Sequence, residues 1–394
     1  MALVYLDYAA TTPLDPRVVA AMQPCWSETF GNPSSLHSAG REARAAVDLA
    51  RERVAKLLNA RPQEIIFTAS GTEADNLALL GVVGALSAGS LHITVSGIEH
   101  PAVRATCRYL ESRGVAVTYL PVRADGIVDP EALKRALRPE TRLVSVMAAN
   151  NVLGTIQPTA VLAAIAHEHG ALFHTDAVQA AGRIPIDVRE QDIDLLSLSA
   201  HKIHGPKGVG ALFVRDSVRL APLIHGGGQE RGLRSATENV AGIVGLGAAA
   251  DIANAQMAED AAKSVALRDR IIDSVLSDFP NAYLFGHRYR RLPGHICLGF
   301  AGQEGEAMKL LLALDEAGIA VSAGSACSAL SRSEPSYVLT ALGFDPFRAR
   351  GSIRITLGRF TTDADVDRLL EVLKREVSKM RPISTRAFTG GGVG

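Results

Sequence analysis

The chain has 394 residues, 47% of them hydrophobic and 21% charged, with 41 basic residues against 41 acidic ones. That length can bury two cores of ordinary size, and balanced charge without a dense basic block gives nucleic acid no electrostatic footprint. The start, Met1-Ala2-Leu3-Val4-Tyr5-Leu6-Asp7, meets an acidic residue before an apolar signal core can build, and no uninterrupted membrane-length apolar run follows, so a cytoplasmic protein with no membrane partner is expected.

From about residue 15 to residue 235, helical and strand periodicities alternate. They predict a helix over 41–58, a strand over 65–68, a helix over 73–86, strands over 92–95, 117–119 and 143–147, a helix over 160–168, and strands over 172–175, 195–198 and 210–214. Short apolar strands alternating with helices make an α/β fold, a mostly parallel sheet between helices. Ligands then gather at the carboxyl ends of the strands. A long helix over 238–257 leads to a smaller α+β part with strands over 296–300 and 353–357 and helices over 306–316 and 363–380. We read 1–14 as a segment packing with the small domain, 15–257 as the large domain, 258–382 as the small one, and 383–394 as a disordered glycine-rich tail.

The most informative stretch is Asp194-Leu195-Leu196-Ser197-Leu198-Ser199-Ala200-His201-Lys202, followed by Ile203-His204-Gly205-Pro206-Lys207-Gly208. A strand that runs out into a lysine and a Gly-Pro turn suits an imine-forming amine, and pyridoxal phosphate is the cofactor such an amine serves. Taken alone, Lys202 would read as a solvated surface charge, as most lysines after a strand are. The segment Phe67-Thr68-Ala69-Ser70-Gly71-Thr72-Glu73 passes from strand to helix with capping-box spacing between Ser70 and Glu73. Its free amides and the helix dipole attract a phosphate, Gly71 lets the backbone approach, and Thr72 adds a hydroxyl; an ordinary capped helix would look the same.

Asp176 follows Ala171-Leu172-Phe173-His174-Thr175, where a buried carboxylate needs a partner. A protonated pyridine nitrogen would serve, and a helix cap is the plain alternative. Gln179 could reach the cofactor's phenolic oxygen, and His100, after the strand ending at Val95, could stack on the ring and move protons. The loop from His225 to Glu238 joins glycines to Arg231 and Arg234 and reads as an anion-binding or a linking loop. Arg354 interrupts an apolar strand, so it must meet either a substrate carboxylate or an internal acid. Of the four cysteines, Cys25, Cys107 and Cys297 fall in helical or core patterns, whereas Cys327 lies in the small-residue run Gly324-Ser325-Ala326-Cys327-Ser328-Ala329, where a thiol is available. Their scatter fits neither a disulfide framework nor a metal knuckle.

Together with Tyr5-Leu6-Asp7-Tyr8-Ala9-Ala10-Thr11-Thr12-Pro13, Gly31-Asn32-Pro33-Ser34-Ser35, Asn150-Asn151 and Glu334-Pro335-Ser336-Tyr337, these motifs closely resemble the cysteine desulfurases of the NifS/IscS branch, in order from about residue 4 to residue 380. The resemblance implies a fold-type I pyridoxal phosphate enzyme of the class V aminotransferase family, a homodimer that converts L-cysteine to L-alanine and a cysteine persulfide. It makes Lys202 the lysine that binds the cofactor aldehyde, Asp176, Gln179, His100, Ser199 and His201 the ring and phosphate contacts, and Gly71 and Thr72 the phosphate holders, joined by Thr237 of the second subunit. Asn151 and Arg354 then bind the substrate carboxylate, and Cys327 takes the sulfur, with a transient iron–sulfur contact its one metal role. An iron–sulfur scaffold or a thiolation protein is the implied acceptor. The six residues from Ser328 to Ser333 make the loop after Cys327 slightly longer than in IscS-type members, and the tail differs too, so the acceptor stays open. A selenocysteine lyase, another class V enzyme, or an inactive sulfur-relay subunit are the alternatives.

Overall fold

The computed structural model describes residues 3–86, 91–324 and 335–380. Seven strands form the main sheet, in the spatial order Ile65–Thr68, Gly210–Val214, Leu195–Ser199, Leu172–Asp176, Thr141–Ser145, His92–Ser96 and Ala116–Leu120. Gly210–Val214 runs antiparallel to both neighbours, and the other adjacent pairs are parallel. Helices cover both faces, which is why strands such as Leu195–Ser199 and Gly210–Val214 are buried along their whole length and carry no charged residue. Ala116–Leu120, at the sheet edge, is half-buried and keeps polar residues.

The expected strand over 143–147 starts two residues earlier, at Thr141. The Thr141 hydroxyl meets His92 Nδ1 at 2.7 Å and accepts from the Arg138 amide at 2.8 Å, so a polar residue is drawn into the ladder by its side chain rather than by apolar burial.

A larger departure is the helix expected over 238–257, which spans Val240–Asp278 without a break. Its charged middle suggests an end, yet no proline or glycine stops it before Pro280. The first half packs on the Ser38–Leu58 helix, where Gly247 approaches so closely that a Cβ there would lie 2.6 Å from Ala50. The second half sends Leu267, Ile271, Ile272 and Val275 into a different core. The boundary expected at 257/258 thus falls inside one rigid element shared by two cores. By length and composition this helix could cross a membrane, and 56% of its apolar window is buried in the fold.

That second core lies under an antiparallel sheet ordered Ser322–Ala323, Ile353–Thr356, His295–Phe300, Ala282–Leu284. The N-terminal strand Val4–Tyr5 pairs in parallel with Ile319–Ala320, and Val4 and Leu6 join Ile296, Ile353 and Val366 in the apolar cluster. From there the chain crosses to the main sheet: the Thr12 hydroxyl donates to His201 O at 2.9 Å and accepts from the His204 amide at 2.8 Å. Residues 7–12 therefore lie over the carboxyl ends of the central strands.

Candidate active site

Lys202 ends the short 3₁₀ turn Ala200–Lys202 that follows the Leu195–Ser199 strand. Gly205 is required just beyond it, since a Cβ there would sit 2.8 Å from Ala200. The Lys202 Nζ donates to the carbonyls of Ala9 at 2.6 Å and Ala10 at 2.8 Å. Arg183 braces the same joint, donating from Nη2 to Tyr8 O at 2.7 Å and Lys202 O at 3.2 Å, and its burial pulls its pKa down to about 10. His201 Nδ1 meets the Thr11 hydroxyl at 3.1 Å; burial, then the Lys202 and Lys207 charges, lowers it to about 4, so it is neutral near pH 7.

The capped helix start expected at Ser70 and Glu73 forms. Ser70 caps the Gly71–Ala85 helix, its Oγ accepting from the Glu73 amide at 3.1 Å, while the Glu73 carboxylate reaches back to the Ala69 amide at 2.9 Å. At Gly71 a Cβ would come 2.6 Å from Val178 Cγ2, so only glycine fits without movement. Thr72, next to it, is exposed.

Facing this helix start is the end of the Leu172–Asp176 strand. Asp176 is buried, and its Oδ1 accepts from the Val178 amide at 2.9 Å; this closes a turn, and no helix starts there, which corrects the helix-cap alternative and uses one oxygen. Burial raises its pKa, and His100 and Lys202 oppose that rise. His100 caps the Pro101–Ser112 helix through Nδ1, which accepts from the Ala102 amide at 3.1 Å and so leaves a neutral ring's proton on Nε2. Behind them Glu99 is fully buried; Ser96 Oγ donates to it at 2.5 Å and the Met147 amide at 2.8 Å, yet burial pushes it up to about 8. Tyr337, from the motif after residue 334, donates its hydroxyl to Glu99 O at 2.6 Å.

Arg354, 2% exposed, meets the internal acid that was one of the two partners weighed for it. Its Nη2 pairs with Asp7 at 2.9 Å and its Nη1 donates to Asn151 O at 3.1 Å, while Nε has no hydrogen-bond partner. An internal acid therefore takes one nitrogen, which corrects the picture of a guanidinium reserved for substrate. Asn151 Oδ1 and Gln179 Oε1 also lack partners, and Gln179 Nε2 donates to Ala9 O at 2.9 Å.

These residues enclose one cavity of about 350 Å³, lined by Gly71, Thr72, His100, Asn151, Asp176, Gln179, Ser199, His201, Lys202 and Arg354. Every expected site residue is therefore in one place except two. Thr237 is exposed and lies outside the cavity of its own chain, and Cys327 lies outside the described residues. The anion-binding reading of the 225–238 loop is not met within the cavity: Arg234 is paired with Glu73 at 2.8 Å, and Glu230 pairs with Arg51 at 2.7 Å. The core thiols behave as expected, with burial pushing Cys107 and Cys297 up to about 12. Sequence reasoning passed over Asp75, Glu99 and Asp7. None carried a local signal: Asp75, for one, sits in the polar helix start Thr72-Glu73-Ala74-Asp75-Asn76, where an exposed acid is ordinary.

The donor set fits pyridoxal phosphate. A glycine-opened helix N-terminus suits its phosphate, a lysine amine its aldehyde and a buried acid its ring nitrogen, and unpartnered buried polar atoms of Asp75, Asn151, Gln179 and Arg354 belong to residues lining the same cavity. Comparison with known proteins agrees. Residues 4–369 match the class V aminotransferase family model. A cysteine desulfurase IscS of Dictyoglomus turgidum is 51% identical over 97% of this chain and 96% of its own, and one of Methanosarcina thermophila is 49% identical over 97% and 93%. Among solved structures, a NifS-like protein superposes with a TM-score of 0.89 at 38% identity, covering 96% of this chain and all of its own. The structure described as SspA in complex with cysteine gives 0.79 at 39% identity, covering 91% of this chain and 99% of its own. A glycine-opened helix, a strand-end lysine and a buried strand-end acid meeting across one cavity, in a chain so closely matched, place this protein in the class V aminotransferase family, among its pyridoxal phosphate-dependent cysteine desulfurases.

Proposed function

We propose that the protein takes sulfur from L-cysteine, releasing L-alanine and leaving the sulfur on Cys327 as a persulfide. The observation that carries this is the convergence of Lys202, Asp176, His100 and the Gly71 helix N-terminus on one cavity that also presents Asn151 and Arg354. Bound pyridoxal phosphate supplies an electron sink for charge developing on the substrate's α-carbon. Lys202 would hold its aldehyde, Gly71 and Thr72 its phosphate with Ser199 and His201 beside them, and Asp176 and Gln179 its ring.

The chain's own groups do the rest. Arg354 Nε and Asn151 can hold the amino acid's carboxylate, and the Asp7 pair fixes the guanidinium so that it meets a carboxylate in one orientation. His100, with its proton on Nε2, can move protons at the cavity wall. Lys202 can take the α-proton once its amine is released. The Cys327 thiolate forms an S–S bond to the substrate sulfur as the Cβ–S bond breaks, and that electron pair stays with the carbon skeleton, which leaves as alanine after taking up protons. A dithiol reductant then frees the sulfur as sulfide.

Thr237, exposed on its own chain, is assigned to the phosphate of a second copy, which makes the active enzyme a homodimer. The sulfur acceptor belongs to the class of persulfide-accepting scaffold or thiolation proteins, the former favoured by the IscS name of the relatives.

The test is release of alanine and sulfide from L-cysteine with dithiothreitol, beside L-selenocysteine and a keto-acid acceptor. Wild type should form both products, and Cys327→Ala should form neither at a significant rate while L-cysteine still alters the absorption spectrum. Desulfuration by Cys327→Ala near the wild-type rate, or an extra sulfur found on Cys25, Cys107 or Cys297, would overturn the persulfide route. Transamination without sulfide, or turnover of selenocysteine alone, would reassign the substrate.

A further inference from the structure

The Gly71–Ala85 helix lays its first turn along the cavity, and one turn in from Gly71 it carries Asp75, 1% exposed, beside the buried Ala74, Leu77 and Ala78. Asp75 lines the cavity, and its Oδ1 has no hydrogen-bond partner. Ligand-capable atoms of Asp75, Asp176 and His100 all lie within 4.8 Å of one another. Two carboxyls so close in a buried site cannot both ionise at low cost, so the pair retains a proton.

The two acids keep different company. Asp176 faces His100 and Lys202, which favour its anion, and accepts the Val178 amide. Asp75 has burial and then the charge of Asp176 against its anion, and only the Ser197 hydroxyl in its favour. His174, whose Nε2 is 3.7 Å from Asp75 Oδ1, brings no charge: burial lowers it to about 3, and its nitrogens already meet Ser145 at 2.8 Å and Ser197 at 3.1 Å. The neighbouring strands Ile65–Thr68 and Gly210–Val214 add no titratable side chain, and the Pro101–Ser112 helix adds Cys107, which burial keeps neutral.

We propose that Asp75 is a positioning residue that carries the proton retained by the Asp75–Asp176 pair, and so keeps Asp176 the anion that faces the cofactor ring. This rests on the reading of the cavity as the pyridoxal phosphate site, but the location of the proton can be read without turnover. Infrared spectra of the protein as purified, with its cofactor, should show protonated-carboxyl carbonyl bands at neutral pH from Glu99 and from Asp75. Glu99→Gln should lose one and keep the other, and Asp75→Asn the reverse.

Thermal unfolding supplies an independent readout. A carboxyl protonated in the fold and ionised when unfolded costs stability increasingly as pH rises towards its folded pKa. Asp75→Asn, which cannot ionise, should gain in Tm over wild type by a margin that widens with pH, whereas loss of a structural carboxylate would lower Tm throughout. A Glu99→Gln protein with no remaining acid band overturns the proposal even if Asp75→Asn fails to fold. So does a band that survives in Asp75→Asn,Glu99→Gln and vanishes on adding Asp176→Asn, which puts the proton on the other acid. None of these results depends on which amino acid the enzyme consumes.

Discussion

Across the cavity from each other, two regions handle buried charge in different ways. At the ends of the central strands, Asp176, Asp75 and Glu99 crowd three carboxyls into a site where burial raises all their pKa values. On the side of the small sheet, the equally buried Arg354 is matched by Asp7 at 2.9 Å, delivered by the N-terminal segment. The acid-rich wall is laid down at the ends of the main sheet and on the Gly71–Ala85 helix, and stays protonated or awaits a ligand. The basic wall is completed within the chain, so it can hold its charge before any substrate arrives. Catalysis by an electron-sink cofactor needs the first kind of wall, and recognition of a carboxylate in one orientation needs the second.

The largest break in this comparison comes from the group between the walls. Lys202→Ala should give no measurable turnover and no covalently retained cofactor after borohydride reduction; peptide mapping that labels Lys207 in the wild type would show that the wrong lysine was assigned. Asp176→Asn should slow turnover by about 10²–10³-fold, the usual cost of removing one pre-placed electrostatic partner. A rate within a few-fold of wild type would mean the acid-rich wall does not address the ring.

On the opposite wall, Arg354→Ala strips Asp7 of its cationic partner and should destabilise the fold by about 3 kcal/mol while raising KM for L-cysteine. Asp7→Asn leaves the guanidinium its contact to Asn151 and should cost less. Equal losses in urea unfolding would mean that Arg354 is structural only. Gly71→Ala is a smaller test, because Val178 must give way to the new methyl; the cofactor dissociation constant should rise about ten-fold, as expected for roughly 1.4 kcal/mol lost at the phosphate.

The smallest effect concerns pH. Glu99 titrates at about 8 in the fold, far above an unfolded glutamate near ~4. Folding therefore takes up a proton across that window, so this group's contribution falls as pH rises towards 8. Glu99→Gln has no proton to lose and should show a flatter decline of Tm over that range. Parallel Tm curves for the two proteins would place the ionised form in the wild type.

Much of the site was legible because its main parts lie at strand ends. An apolar run that stops at Asp176 or leads into Lys202, and a strand that turns through Gly71 into a capped helix, are local patterns whose geometry follows from backbone periodicity and capping. The same local logic misplaced the end of the Val240–Asp278 helix, since its charged middle marks exposure between two cores rather than a stop.

Partner choice was decided elsewhere. Asp7 and Arg354 are 347 positions apart, and nothing in either neighbourhood names the other. Asp75 reads as one acid in a helix, and its meaning appears only when the sheet brings Asp176 and Glu99 beside it. The sequence by itself determined which elements form and where their polar ends fall, because those depend on neighbours a few residues away. Tertiary structure alone decided which buried charges meet, because desolvation and Coulomb energy depend on distances that the fold sets.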